Sequence, residues 1–249
     1  MSLTTSTKLQ EDSSSAARIA STALITGASR GIGREVARTL AGEGWQVLSG
    51  VRDPKSAPPE TRAEVVDMGD PGSIEALAER LRARNQRLDA LVNNAGVYRE
   101  SSARRIWDVN VLGPLRLTRA LEPLLAPNAR VVMVTSGLGK LSAQSASLVR
   151  RLSDPKLSLA EIERLAGEAP GGYGASKAAL SAMARLFAKE LGPRGILVNA
   201  ISPGWARTDM GGAGAPRSGE QGAASVLWGV RLAPGGPTGG VFQDGKPIE

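Results

Sequence analysis

The chain has 249 residues, with 31 Lys and Arg against 24 Asp and Glu, and it contains neither cysteine nor histidine. Without cysteine there are no disulfides, thiolate nucleophiles or thiolate metal sites; without histidine there is no Ser-His-Asp triad, His-ligated zinc or imidazole base, so no metal site is expected and proton transfer falls to Tyr, Lys, Asp or Glu. The net charge of +7 suits an anionic cofactor, whereas nucleic acid is not an expected partner, because the basic residues are scattered and two Tyr and two Phe leave little for stacking on bases.

Residues 1–19 read as a polar tail: Met1 to Ala17 is rich in Ser and Thr and lacks the apolar region of a secretory signal. Residues 20–249 suffice for one α/β domain with a large core. No stretch reaches the roughly 20 apolar residues of a membrane span, so a soluble, cytoplasmic protein is expected.

Short apolar runs then recur between helical stretches: Ala23 to Thr26, Gln46 to Val51, Glu64 to Val66, Ala90 to Val92, Arg130 to Thr135, Ile196 to Ile201 and a weak Gly240 to Phe242. This alternation predicts an α/β fold, a Rossmann-like doubly wound parallel sheet of about seven strands with helices on both faces. Ligands bind such sheets at the carboxyl ends of the strands. TGASRGIG follows the first run, VRD the second, DM the third, NNAG the fourth, TSG the fifth and SPGWART the sixth, so all six motifs crowd one edge.

In TGASRGIG, Gly27, Gly31 and Gly33 separate the first strand from a helix over Arg34 to Leu40. Free N–H groups at the positive end of a helix dipole suit a phosphate. A glycine-rich turn also serves close packing, so its assignment rests on the other motifs. The run Glu79 to Arg87 reads as the solvated face of an amphipathic helix. Tyr173 and Lys177 stand four apart at the start of a helix over Tyr173 to Leu191, on one face. A free phenol, with a pKa of about 10, is a poor acid at neutral pH, and a neighbouring ammonium is expected to lower that value.

Together, Thr26 to Gly33 (TGxxxGxG), Asn93 to Gly96 (NNAG), Asn110, Ser136, Tyr173 to Lys177 (YxxxK) and Pro203 to Thr208 (PGxxxT) resemble the short-chain dehydrogenase/reductase family, in the family's order and over about residues 20 to 245. The resemblance implies an NADP(H)-dependent reductase of an aldehyde, ketone or quinone; a 3-oxoacyl-thioester reductase and a non-catalytic NADP(H)-binding regulator carry the same motifs. Tyr173 would donate a proton to the substrate carbonyl oxygen and Ser136 would hydrogen-bond that oxygen. Lys177, with Tyr173, would also meet the nicotinamide ribose, and Asn110 would orient a water in a proton relay.

The same resemblance implies cofactor contacts from Gly27, Ser29, Arg30, Gly31, Ile32 and Gly33. Asp67 would accept from the adenine amino group with Met68 beside it, although Asp67 also suits the cap of a helix starting near Pro71. Asn93, Ala95 and Gly96 would lie along the adenosine ribose, and Pro203, Gly204, Ala206 and Thr208 around the nicotinamide. Where NAD-preferring relatives place an acid at the end of the second strand, this chain has Val51 and then Arg52. A 2′-phosphate would escape like-charge repulsion there and pair with Arg52, with Arg30 as a second clamp.

The 36 residues from Gly137 to Gly172 far exceed the about 4–6 residues usual for a connection. Within them a Ser or Asp cap precedes Leu157, Leu159, Ile162 and Leu165 at near-helical spacing, and the pattern ends at Pro170-Gly171-Gly172. A helical insertion at about 140–172 resembles the monomeric carbonyl reductases and their plant relatives. In family tetramers the Tyr-Lys helix packs on its counterpart, and an inserted helix would cover it, which implies a monomer. With Tyr98, Leu138, Trp205 and Met210 the insertion would wall an apolar substrate pocket.

Overall fold

The computed structural model describes residues 20–249, so the expected tail lies outside the described residues. Seven parallel strands form one sheet: β1 (Thr22–Thr26), β2 (Gln46–Val51), β3 (Arg62–Val65), β4 (Leu88–Asn93), β5 (Leu125–Val134), β6 (Leu197–Ile201) and β7 (Val241–Gln243). They lie in the order β3-β2-β1-β4-β5-β6-β7, and β8 (Lys246–Pro247) closes the edge antiparallel to β7. The sheet thus has one strand more than expected, because an exposed Lys-Pro pair carries no apolar run to announce it.

Alternation along each strand sends side chains to two separate cores. Ala23 and Ile25 of β1, with Val132 of β5 and Ile201 of β6, pack under Val36 and Leu40 of α1 (Gly31–Gly42) and Val226 of α8 (Gly219–Val230). Leu24, between them, faces the other way, into a core with Leu77 of α2 (Pro71–Ala83), Leu117 of α4 (Gly113–Leu121) and Phe187 of α7 (Tyr173–Leu191). Most helix starts carry their own cap. Asp70 accepts from Gly72 N ahead of Pro71 in α2, and Ser218 and Gln221 form a reciprocal capping box on α8. Asp70, rather than Asp67, therefore caps the helix at Pro71.

Chain order doubles back between β3 and β4, so the carboxyl ends of β1 and β4 flank the switch point where such sheets open a crevice. Between α3 (Ala103–Trp107) and α4 the chain makes a π-helical turn, Asp108–Leu112, which carries Asn110. The long β5–α7 connection holds two helices, α5 (Ala146–Leu152) and α6 (Leu159–Glu168). Leu148, Leu152, Ile162 and Leu165 are buried in the same core as Phe187. Arg151 reaches across from α5 to Glu161 of α6 (3.0 Å), and Arg185 of α7 donates to Leu152 O (2.8 Å). No helix among the described residues is long and apolar enough to cross a membrane.

Candidate active site

At the first turn after β1, Gly27 and Gly31 have φ of +68° and +53°, and Gly27 N donates to Gly50 O (2.8 Å). A Cβ on Gly33 would stand 2.3 Å from Asn94 Nδ2 and 2.4 Å from Gly27 O, so only glycine fits beneath this turn. Thr26 Oγ1 accepts from the N–H groups of Asn94 and Ala95, both at 3.0 Å, and Asn94 Nδ2 donates to Thr26 O (2.8 Å). Asn94 is thus the strut that joins NNAG to the glycine turn. Helix α1 starts without a side-chain cap or an acidic residue in its first turn, leaving the positive end of its dipole open to an anion. Ser29 lies half-buried on the turn, while Ile32 packs toward α8 against Gly222.

Arg30 is exposed and already paired: its Nη1 lies 3.1 Å from Asp209 Oδ2. Arg52, after β2, is exposed and has no acidic partner among the described residues. The Asp67 carboxylate accepts from Gly69 N (2.8 Å) and lies 3.7 Å from the Arg105 guanidinium, which rests on Gly69. Two expected contacts turn inward instead. Met68 is buried against Gly113, and Asn93 is buried with Nδ2 toward Thr118 Oγ1 (3.1 Å) and Met133 Sδ (3.3 Å). The reason is the two-residue alternation at the strand ends: Asn93 shares the face of Leu91, and Asn94, one position on, meets the crevice.

Lys177 is buried, and its Nζ donates to Val134 O (2.8 Å). Gly96 and Gly139 make room for it: a Cβ on Gly96 would lie 3.5 Å from Nζ, and one on Gly139 would lie 2.7 Å from Lys177 Cβ. Burial lowers the lysine pKa to about 8. Nearby, the Asn110 amide is committed to the chain, accepting from Val97 N (2.9 Å) and donating to Val97 O (3.0 Å) and Ser176 Oγ (3.1 Å). Its side chain locks the NNAG loop to α7, with both amide hydrogens donated within the chain.

Tyr173 opens α7, half-buried, with Lys177 Nζ 5.6 Å from its ring centroid and Tyr98 edge-on at 4.8 Å. Burial raises the Tyr173 pKa, and the Ser136 hydroxyl only partly opposes this. The net direction is thus opposite to the lowering expected from Lys177: desolvation of the phenol dominates, and the amine lies 5.6 Å from the ring centroid with its hydrogen bond made to Val134 O. The phenol points to Met210 Sδ (3.9 Å). Ser136 starts the short turn Gly137–Gly139 and accepts from Leu138 N (3.2 Å).

The segment after β6 closes the other side. Gly204, at φ +71°, lies on the Arg217 side chain, Ala206 is buried and bridged to Arg217, and Thr208 rests on Gly31. Pro203 is half-buried at its start. Leu138, Trp205 and Met210, 57%, 61% and 40% exposed, are three of the four exposed large apolar residues among the described ones. Met210 lies against the Tyr173 phenol, Leu138 follows Ser136 by two, and Trp205 bonds through Nε1 to Gly211 O (2.9 Å). Among the described residues no cluster of acidic groups could hold a metal ion.

Sequence comparison matches residues 21–148 to the family described as short chain dehydrogenase and residues 157–227 to one described as enoyl-(acyl carrier protein) reductase. The chain belongs to the short-chain dehydrogenase/reductase family. It is 31% identical to carbonyl reductase (NADPH) 1 of Sus scrofa over 270 residues, covering 91% of this chain and 93% of that protein. It is also 31% identical to the 3-oxoacyl-acyl-carrier-protein reductase of Escherichia coli K12 over 203 residues, 76% of this chain and 74% of the other. In three dimensions it resembles salutaridine reductase from Papaver somniferum, with a TM-score of 0.80, 24% identity and coverage of 90% of this chain and 99% of that one.

Asn94, Arg105 and Arg217 escaped the sequence reading. The second Asn of NNAG was a visible signal for Asn94; the two arginines reach the site only through tertiary packing.

Lys177 yields a pH test. Its pKa is about 8 folded against 10.5 ordinarily, so between those values the unfolded chain binds the extra proton and folding strengthens as pH rises. Denaturant titrations of wild type and Lys177→Met across pH 7 to 10.5 should show wild type gaining about 3 kcal/mol relative to the variant. A parallel pair of curves would mean that the amine is not desolvated.

Proposed function

We propose that this chain is an NADPH-dependent carbonyl reductase acting on an apolar aldehyde, ketone or quinone. The observation that carries the reading is exposed Met210 against the Tyr173 phenol and exposed Leu138 bonded through its N–H to Ser136, with exposed Trp205 on the same segment as Met210. Support for the cofactor comes from the positive-φ glycines of the turn after β1, the uncapped start of α1, and an exposed Arg52, without an acidic partner among the described residues, where an acid would repel a 2′-phosphate. The name of the Sus scrofa relative specifies NADPH as well.

Bound NADPH would supply the hydride that no side chain can provide. Gly27, Ser29, Gly31 and Gly33 would hold its phosphates, Arg52 the 2′-phosphate, Asp67 and Ala95 the adenosine, and Gly204, Ala206 and Thr208 the nicotinamide end. Tyr173 would transfer its phenolic proton to the substrate oxygen. The raised pKa keeps that proton in place at neutral pH, which suits a donor in reduction. Ser136 would hydrogen-bond the same oxygen as negative charge builds on it. Lys177, deprotonating near pH 8, is poised to return a proton toward Tyr173, and Asn110 acts by fixing Val97 and Ser176 around both. A 3-oxoacyl-thioester reductase is the second reading, favoured by the Escherichia coli relative.

We further propose a monomer. Helices α5 and α6 pack on α7 with Leu148, Leu152, Ile162 and Leu165 buried, covering a face of that helix. Sedimentation equilibrium should give a single species near 25.8 kDa; a tetramer would overturn this.

Two substitutions test the chemistry. Tyr173→Phe should lower kcat about 10²- to 10⁴-fold on a carbonyl panel followed by nicotinamide absorbance, with NADPH binding retained. Wild-type binding of NADPH without turnover of free carbonyls or acyl thioesters would point to a regulator. Arg52→Ala should weaken NADPH about tenfold while sparing NADH, as expected for one exposed charge-assisted contact. Equal loss for both cofactors would remove Arg52 from the 2′-phosphate.

A further inference from the structure

Arg30 and Asp209 join two segments that are 179 positions apart in the chain. Arg30 sits in the glycine turn; Asp209 stands between Thr208 and Met210, in the segment that carries the substrate-facing Trp205 and Met210. The contact is a single Nη1–Oδ2 approach of 3.1 Å, with both side chains 72% exposed. Arg30 has no other acidic partner among the described residues, and Asp209 no other basic one. A second contact reinforces the seam: Thr208 Cγ2 lies 3.2 Å from where a Cβ on Gly31 would stand. The remaining polar contacts of the segment are largely internal. Trp205 Nε1 donates to Gly211 O (2.9 Å), Gly211 N to Thr208 Oγ1 (3.1 Å), and Arg207 Nη1 to Ala215 O (3.0 Å).

We infer that Asp209 is an internal stand-in for a cofactor phosphate: it holds Arg30 across the crevice, and a phosphate of the dinucleotide takes Arg30 from it. This rests on the proposed NADPH site. The physical ground is mutual exclusion at a one-point contact. The Asp209 carboxylate meets the guanidinium through one nitrogen, whereas a 2′-phosphate offers three free oxygens, and the pyrophosphate four over two phosphorus atoms, with about two negative charges in either case, to the same planar donor set. Both groups are well solvated, so exchanging one anion for another requires little desolvation. Phosphate capture leaves Asp209 without its ionic partner and frees one edge of the segment bearing Trp205 and Met210, while the contact of Met210 with Tyr173 persists at the other edge. Asp209 thereby tunes cofactor affinity and couples it to the substrate wall, without touching the reacting atoms.

Fluorescence titration of NADPH and of NADH into wild type, Asp209→Asn, Arg30→Ala and the double variant provides the test. Asp209→Asn should tighten NADPH about two- to fivefold, the range for losing one exposed ion pair, and that gain should vanish in the Arg30→Ala background. A gain confined to NADPH assigns the 2′-phosphate to Arg30; an equal gain with NADH assigns the pyrophosphate; both support the exchange. Three results overturn it: unchanged affinity, weaker binding (Asp209 then orients Arg30 for the ligand), or the same gain with and without Arg30 (a general field of the carboxylate). Failure of the wild type to bind either nucleotide would instead defeat the proposed cofactor itself.

Discussion

A lysine amine almost removed from water sets the terms for this site. Lys177 finds its protein acceptor in the carbonyl of Val134, at the end of β5, and glycines at 96 and 139 leave the space that its stem and head occupy. Burying the amine lowers its pKa to about 8, while the burial of the Tyr173 phenol itself pushes the phenol the other way. The phenol, half-buried above it, keeps its proton. The resulting pair is a held proton on Tyr173 beside an amine that titrates near pH 8, an arrangement whose balance an anionic ligand in the crevice would shift toward the ammonium.

The surroundings of that pair are held by polar side chains whose hydrogen bonds run to the chain itself. Asn110, on a π-helical turn, spends its amide on Val97 and Ser176; Asn94 spends its own on Thr26. One asparagine thus ties the NNAG loop to the Tyr-Lys helix and the other ties it to the glycine turn. Irregular helix geometry places the first where a regular turn would not, as π-bulges at functional sites commonly do. Since loops following parallel strands have no ladder to stiffen them, these bonds supply the rigidity that positioned catalysis requires.

The insertion after β5 acts on the same site from outside. Its two helices pack on α3 and α7 through buried apolar side chains and are joined by Arg151 of α5, which pairs with Glu161 and Glu168 of α6. Covering α7 changes what that helix can meet, and the short turn leading into the insertion aims Leu138 at solvent beside Ser136. One added segment thus covers a face of the Tyr-Lys helix and leads out of the turn that holds Ser136.

Local sequence determined the alternating strands, the glycine positions, the Tyr-Lys spacing and the helical insertion, because each follows from a periodicity of 2 or 3.6 residues or from a steric demand made within a few positions. Gly33 is legible in part in this way, since a Cβ there would meet Gly27 O six positions back, whereas its contact with Asn94 is tertiary. Tertiary structure decided the rest. Asn93 or Asn94 facing the crevice, Met68 turning into the core, Arg30 meeting Asp209 and Arg105 resting on Gly69 all depend on where distant segments lie. The direction of the Tyr173 pKa belongs with these: sequence spacing tells that an amine is near, but desolvation and the acceptor that the amine has chosen depend on everything packed around it.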